Sequence, residues 1–329
     1  MRYCDRSFLA GEEGVKDMRY RKIKKSDLEV SAICVGTWAF GGDAWGEAND
    51  NESIRVIEEA IANGVNIVDT APVYGGGRSE SVLGRAIKGN REKVIIATKC
   101  GLEIKGASIR VDLTPAFIRK DLEGSLKRLG VDTVDVYQCH WPDPKTPAEV
   151  TFGEMKKLVD EGKIRYIGVS NFDKDMLEEA LSVAPIVSNQ VQYSLFDRTA
   201  EKELLSFCRE NDVAILPYGA LGGGILTGKY RQQPAFPKRD VRSFFYKFYH
   251  EPFWEKAQKI ISVLEEIALS RKVSTVEVAI NWMLSHEEVP SCIVGCRTAE
   301  QLKMNIAATE WEMSKEELER IEKEYNKIF

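Results

Sequence analysis

Apolar residues in this chain come in short unbroken runs that end on polar ones. Ala32-Ile33-Cys34-Val35-Gly36 is the first and leads into a turn from Thr37 to Gly42; Asn66-Ile67-Val68 ends on Asp69. Ile95-Ile96-Ala97-Thr98 ends on Lys99, Val134 to Cys139 on His140, and Ile164 to Val169 on Ser170-Asn171. Val187 to Val191 carries Gln190, Val213 to Pro217 ends at Tyr218, and Cys292-Ile293-Val294 reaches Gly295. Runs that do not alternate belong to strands buried on both faces, as in a parallel sheet. Helical spacing fills the intervals. Ile54, Ile57, Ala60 and Ile61 follow the candidate N-caps Asp50 and Asn51, and Ile118, Leu122, Leu126 and Leu129 lie between Thr114-Pro115 and Gly130. Capping-box patterns at Ser274–Glu277, Thr298–Gln301 and Ser314–Glu317 open three late helices. Tyr20 to Ile23 and Leu28 to Ser31 read as a small hairpin, and Arg231 to Phe253 as a long, aromatic loop. Eight strands alternating with helices predict an α/β fold, a (β/α)8 TIM barrel with a short N-terminal β-hairpin, as one domain over 18–329.

A barrel of this kind carries its active site on the C-terminal face of the strands. Thr37, Asp69, Lys99, His140, Asn171, Gln190, Tyr218 and Gly295 all lie at or just past a strand's C-terminal end, and the loop after Asp69 carries Tyr74. Singly, Asp69 and Tyr74 read as a turn-capping acid and a rim tyrosine. Their recurrence on one face is what argues for a site. An acid, a cation, an imidazole and a phenol together can give a proton to a carbonyl oxygen. Lys99 beside Tyr74 is expected to favour the tyrosinate: unit charges ~4 Å apart interact by about 4 kcal/mol at an effective dielectric of ~20, at most roughly three pK units. Asp69 offsets part of that and makes burial of the ammonium tolerable. His140 is placed to orient the substrate oxygen. No side chain donates hydride, so a cofactor must.

Composition narrows the field. The 329 residues are 43% hydrophobic and 29% charged with a formal net charge of -5, which leaves no basic footprint for nucleic acid. No apolar run approaches the ~18 residues of a membrane span, and no signal-peptide layout opens the chain. Seven cysteines without C-x-x-C spacing fit buried thiols in a reducing, cytoplasmic setting; three histidines, His140, His250 and His286, match no zinc spacing, so no metal is expected.

Neither Gly75-Gly76-Gly77 nor Gly222-Gly223-Gly224 has the Rossmann spacing. The pattern Asp69-Thr70-Ala71-x-x-Tyr74-Gly75, the run Ile167 to Phe172 and the run Leu226 to Tyr230 instead resemble the aldo-keto reductases, closest to their short-looped bacterial NADP-dependent branch, over about Tyr20 to Phe329. The resemblance implies reduction of an aldehyde or ketone with NADPH, NADH being the less favoured donor, and Asp69, Tyr74, Lys99 and His140 as the catalytic four with Tyr74 the general acid. It implies further that Ser170, Asn171 and Gln190 hold the carboxamide, that Tyr218 stacks on the nicotinamide, and that Asp69 also contacts the cofactor. Gly36, Thr37 and Trp38 would lie near the nicotinamide ribose, and Gly219, Ala220, Leu221 and Gly222 along the pyrophosphate; Lys229 and Arg242 would also bind the cofactor. Gly295, Arg297, Gln301 and Asn305 would take the adenosine end, Arg297 meeting a 2′-phosphate. Trp38, Tyr74, His140 and Trp141 would line the pocket for a small carbonyl substrate. The chain departs from many relatives at Gly219-Ala220, where they carry Ser-Pro, at Met304, a position that is often acidic, and in ending soon after its last helix.

A second reading is a cofactor-binding regulatory subunit, since the potassium-channel β subunits resemble the same family. A third, a barrel acting on phosphorylated sugars, would use the glycine-rich turn as a phosphate cup but leaves Asn171 and Gln190 without a role. Residues 1–17 show no apolar periodicity and are expected to form an undocked tail. The codons for Gly14-Val15 permit GGAGTG two codons before the ATG of Met18, so Met18 is expected to be the native start.

Overall fold

The eight apolar runs form the eight strands of one parallel sheet. They are β1 (Ile33–Gly36), β2 (Ile67–Asp69), β3 (Ile95–Cys100), β4 (Val134–Cys139), β5 (Ile164–Ser170), β6 (Ile186–Gln192), β7 (Ala214–Tyr218) and β8 (Cys292–Gly295). This computed structural model describes residues 18–43, 45–105 and 108–329, so the expected tail over 1–17 lies outside the described residues. Neighbours in the sheet run β7-β6-β5-β4-β3-β2-β1-β8, and each of these pairings is parallel. The sheet curls into a (β/α)8 barrel whose last seam brings Ile215 of β7 to the segment before β8, its N–H donating to the Glu288 carbonyl at 2.8 Å.

Two apolar clusters hold the barrel. Inside it, Cys34, Ile67, Ala97, Val136, Val187, Leu216 and Ile293 pack together, and Ile23, Leu28 and Val30 of the N-terminal hairpin close the floor. The hairpin pairs Tyr20–Lys22 with Glu29–Ser31 antiparallel, as the sequence predicts. Outside, the helices press their apolar stripes onto the strands: Ile118, Leu122, Leu126 and Leu129 of α3 (Pro115–Leu129) are all buried, each contributing about 1.5–3 kcal/mol of apolar transfer.

Helix termini follow the sequence signals with two shifts. Gly130 ends α3 in the left-handed region, at φ 69°. The start of α1 (Asp50–Ala62) is capped by Asn49, whose side chain accepts from the Asn51 and Glu52 N–H groups, rather than by Asp50 or Asn51, which are already helical; Asp50 instead pairs with Arg78 at 2.7 Å. The boxes at Ser274 and Ser314 close fully. At Thr298, Gln301 does not return the bond; its side chain accepts from the Arg297 N–H at 2.8 Å. A hairpin over Leu102–Lys105 and Ser108–Val111, not anticipated from the pattern, follows β3. The long loop before α7 (Phe253–Arg271) carries two short 3-10 turns and lies on the barrel mouth, with Tyr246, Phe248 and Tyr249 buried.

Candidate active site

Asp69 and Lys99 leave neighbouring strands β2 and β3 at the C-terminal face. The Lys99 ammonium is fully buried and lies 2.8 Å from both Asp69 carboxylate oxygens, 2.9 Å from the Thr70 carbonyl and 3.2 Å from the Tyr74 hydroxyl. A buried ammonium is tolerable only with such partners. Tyr74 sits on a turn whose next three residues, Gly75, Gly76 and Gly77, have φ of 62°, 61° and 93°. At Gly75 the backbone packs so closely on Gly41 that a Cβ would lie 2.4 Å from the Gly41 oxygen, so only glycine fits. The Tyr74 ring stacks on Trp38 with centroids 5.9 Å apart and meets His140 edge-on at 5.9 Å.

Burial pushes the Tyr74 phenol well above its usual pKa, and the charges of Asp69 and Asp43 push the same way. This corrects the expectation that Lys99 would favour a tyrosinate. The ammonium is already matched by Asp69, whose own charge reaches the phenol, and burial penalises the anion. Tyr74 therefore holds its proton at neutral pH. His140, half-buried, is pushed well below the usual imidazole range by desolvation and then by the Lys99 charge, and so is neutral.

Around these four lies a connected polar platform. Gln190 donates through Nε2 to Asp69 Oδ1 at 2.7 Å, a contact its position in the sequence did not suggest. Ser170 Oγ donates to the Gln190 carbonyl at 2.8 Å. Asn171, in the left-handed region at φ 62°, donates through Nδ2 to the His140 carbonyl at 2.9 Å and accepts at Oδ1 from Tyr218 at 2.9 Å. Thr37 is fully buried; its hydroxyl donates to the Asp69 carbonyl at 2.9 Å and accepts from Ser79 at 2.7 Å, so it ties β1 to β2 and is enclosed rather than open to the mouth. Gly36, at the end of β1, faces Ile293 so closely that a Cβ would lie 2.8 Å away.

Further out, Gly219 and Gly222 both take positive φ around Ala220 and Leu221, and the turn closes with a 2.7 Å bond from Gly222 N to Gly219 O. Tyr246 covers it: its ring lies 2.8 Å from where a Cβ on Gly223 would stand. Lys229 is exposed, 4.8 Å from the Tyr230 ring. Arg242 is turned into its own loop, bound through Nε and Nη2 to Asp240 at 2.8 and 2.6 Å and through Nη1 to the Tyr230 hydroxyl at 3.0 Å. Arg297, just past Gly295, is exposed and its guanidinium donates to the backbone carbonyls of Trp45, at 3.3 Å, and Glu47. It borders a cleft of about 370 Å³ shared with Phe40, Asn49, Ser53, Thr298 and Gln301. Asn305 is buried, and its amide nitrogen has no protein partner among the described residues. Trp141 stands on the rim, 41% exposed.

Two neighbours of the site, Asp43 and Trp45, escaped the sequence reading, and a third, Phe245, belongs to the aromatic loop that it marked. Trp45 and Phe245 both meet Trp38 edge-on, at 5.6 and 6.3 Å, and extend the aromatic wall. Asp43 accepts from the Gly75 N–H at 3.1 Å. The usable signal for Asp43 and Trp45 is their place in the loop after the first barrel strand, which must lie on the active face. Among the described residues no cluster of metal-ligating side chains and no membrane-length apolar helix is found.

Comparison with known proteins converges on the same assignment. A family model described as the Aldo/keto reductase family matches residues 32–326. Aldo-keto reductase YhdN of Bacillus subtilis (strain 168) is 38% identical over 303 residues, covering 91% of each chain. The NADH-specific methylglyoxal reductase of Escherichia coli (strain K12) is 34% identical over 311 residues, 88% of this chain and 93% of that one. The structure of glycerol dehydrogenase AKR11B4 from Gluconobacter oxydans matches with a TM-score of 0.87 at 37% identity, over 94% of this chain and 95% of that one. The chain belongs to the aldo/keto reductase family and is an NAD(P)H-dependent oxidoreductase on a (β/α)8 barrel.

Proposed function

We propose that this protein reduces an aldehyde or ketone to an alcohol with NADPH, Tyr74 being the proton donor. The observation that carries this is the Lys99 ammonium held between the Asp69 carboxylate and the Tyr74 hydroxyl, with a neutral His140 edge-on to the phenol. His140 donates a hydrogen bond to the carbonyl oxygen and orients it beside Tyr74. As hydride, which the reduced nicotinamide supplies when bound, reaches the carbonyl carbon, the oxygen becomes a stronger base than a phenolate and takes the Tyr74 proton. Lys99 then faces the phenolate. At 3.2 Å and an effective dielectric of ~20 this attraction is worth about 5 kcal/mol before Asp69 is counted against it.

The residues available for the cofactor fit it. Ser170, Asn171 and Gln190 supply amide and hydroxyl groups for the carboxamide, and Tyr218 offers a ring to stack. At the positive-φ turn Gly219–Gly222 the part-exposed Gly219 and Leu221 are the backbone available to the pyrophosphate, beside the covering Tyr246. The cleft beside Arg297 and the unpartnered Asn305 amide suit the adenosine end. One relative is named as NADH-specific, so the choice of NADPH rests on Arg297 alone. The same platform gives Asn171 and Gln190 a role that a phosphorylated-sugar barrel would not.

The test is nicotinamide oxidation with a panel of aldehydes, comparing wild type with Tyr74→Phe. Turnover in the ordinary range of about 1–10³ s⁻¹ supports an enzyme over a regulatory subunit. Tyr74→Phe should abolish reduction and leave NADPH affinity nearly unchanged. Retention of more than about 10% of kcat/KM, a loss below ~1.4 kcal/mol, removes Tyr74 as the acid.

A further inference from the structure

Tyr74 occupies an unusually permissive stretch of backbone. The three glycines that follow it, all at positive φ, restrain the turn less than any other residues would. The bonds the turn makes within itself are long: Tyr74 N to Ala71 O at 3.2 Å and Gly76 N to Val73 O at 3.4 Å. A catalytic phenol must nevertheless be held to a fraction of an ångström, because a misplacement of ~1 Å costs of order a hundredfold in rate. The restraint comes from the neighbouring loop after β1. Trp38 stacks on the phenol ring, and Gly41 presses backbone to backbone on Gly75, where a Cβ on Gly41 would lie 2.6 Å from the Gly75 nitrogen. Two residues further on, Asp43 reaches across, and its Oδ2 accepts from the Gly75 N–H at 3.1 Å. Asp43 is exposed, and this is the one side-chain hydrogen bond to the Gly75 N–H among the described residues.

We propose that Asp43 is a positioning residue for Tyr74: by holding the Gly75 N–H it fixes the glycine turn that aims the phenol between Lys99 and His140. The proposal rests on Tyr74 being the acid. Asp43 bonds to the backbone next to Tyr74 and its charge also reaches the phenol, so an asparagine, which keeps the acceptor and loses the charge, separates positioning from electrostatics. Its carboxylate takes the amide immediately after the catalytic residue, and it comes from the loop that also supplies Trp38.

The experiment measures kcat, KM for NADPH and Tm for Asp43→Ala and Asp43→Asn, each in wild type and in Tyr74→Phe, with an aldehyde that wild type reduces. Asp43→Ala should lower kcat by about ten-fold with KM for NADPH within about two-fold and little change in Tm. Asp43→Asn should recover most of kcat, since its amide oxygen still accepts from Gly75. In the inactive Tyr74→Phe background Asp43→Ala should leave NADPH affinity and Tm unchanged. A kcat for Asp43→Ala within about two-fold of wild type, while Tyr74→Phe is inactive, overturns the proposal. So does an Asn variant as impaired as the Ala variant, or a joint fall of cofactor affinity and Tm in both backgrounds. Activity in Tyr74→Phe alone overturns the parent assignment first, and is read without any Asp43 variant.

Discussion

Replacing Asp69 by Asn removes one charge and almost no volume, yet it unbalances every bond the carboxylate makes. Asp69 Oδ1 accepts from both Lys99 and Gln190, at 2.8 and 2.7 Å, and Oδ2 accepts from Lys99 at 2.8 Å. Neither orientation of an asparagine amide satisfies this set. With its oxygen in the Oδ1 place, the amide NH2 points at the ammonium; turned over, the NH2 faces both the ammonium and the Gln190 NH2. The Lys99 ammonium, with no exposure to solvent, is left without a counter-charge. A pair at 2.8 Å and an effective dielectric of ~20 interacts by about 6 kcal/mol, an upper bound. Breaking one side of a buried pair costs about 3–5 kcal/mol, and that range is the expectation for Asp69→Asn. The assay is urea unfolding of wild type, Asp69→Asn, Lys99→Met and the double variant. Removing both charges should recover much of the loss, with a coupling of at least about 2 kcal/mol. A single Asp69→Asn variant within about 1 kcal/mol of wild type, or a double variant equal to the sum of the singles, would refute the reasoning.

Two other outcomes are expected. Asp121 accepts from the Gly101 N–H at 2.9 Å, and burial pushes its carboxyl up to about 6 from 3.8. With the folded value above the unfolded one, its favourable contribution is complete below pH ~4 and is lost as pH rises through ~6; two pK units correspond to about 3 kcal/mol, less some solvent screening. Asp121→Asn should therefore be more stable than wild type at pH 8, with the gain gone at pH 4, read from urea midpoints at the two pH values; an equal gain at both would show that the charge is not the cause. If Arg297 meets the 2′-phosphate as proposed, Arg297→Ala should weaken NADPH binding in a fluorescence titration while sparing NADH; an equal loss for both removes the basis for choosing NADPH.

The barrel and the placing of its chemistry were legible because both depend on local pattern. A run of apolar residues ending on Asp69, Lys99 or His140 says where a strand stops and which way it points, and in a parallel barrel all such ends share one face. The hairpin floor and most of the caps were legible for the same reason, since a cap is read within four residues. The hairpin after β3 was missed because its apolar residues are covered only at the base, where buried Leu102 stands opposite half-buried Val111, while the next apolar pair, Ile104 and Ile109, is exposed, so no unbroken buried run marks it.

Pattern alone determined which side chains reach the active face; the partner each one binds there was decided only by the tertiary structure. Gln190 is 121 residues from the Asp69 carboxylate it orients, and Arg297 is 252 and 250 residues from Trp45 and Glu47, yet each pair is in contact. Arg242 reads as a cation for the cofactor in sequence, but it folds back on Asp240. The Tyr74 phenol reads as acidified by Lys99, but its pKa rises, because burial penalises the phenolate and the phenol lies in the field of Asp69 and Asp43, while the ammonium is held by two carboxylate oxygens. Spacing along a chain sets the direction of a side chain. The electrostatic balance at its tip depends on every charge and every buried surface that folding brings within a few ångströms, and those arrive from the whole length of the sequence.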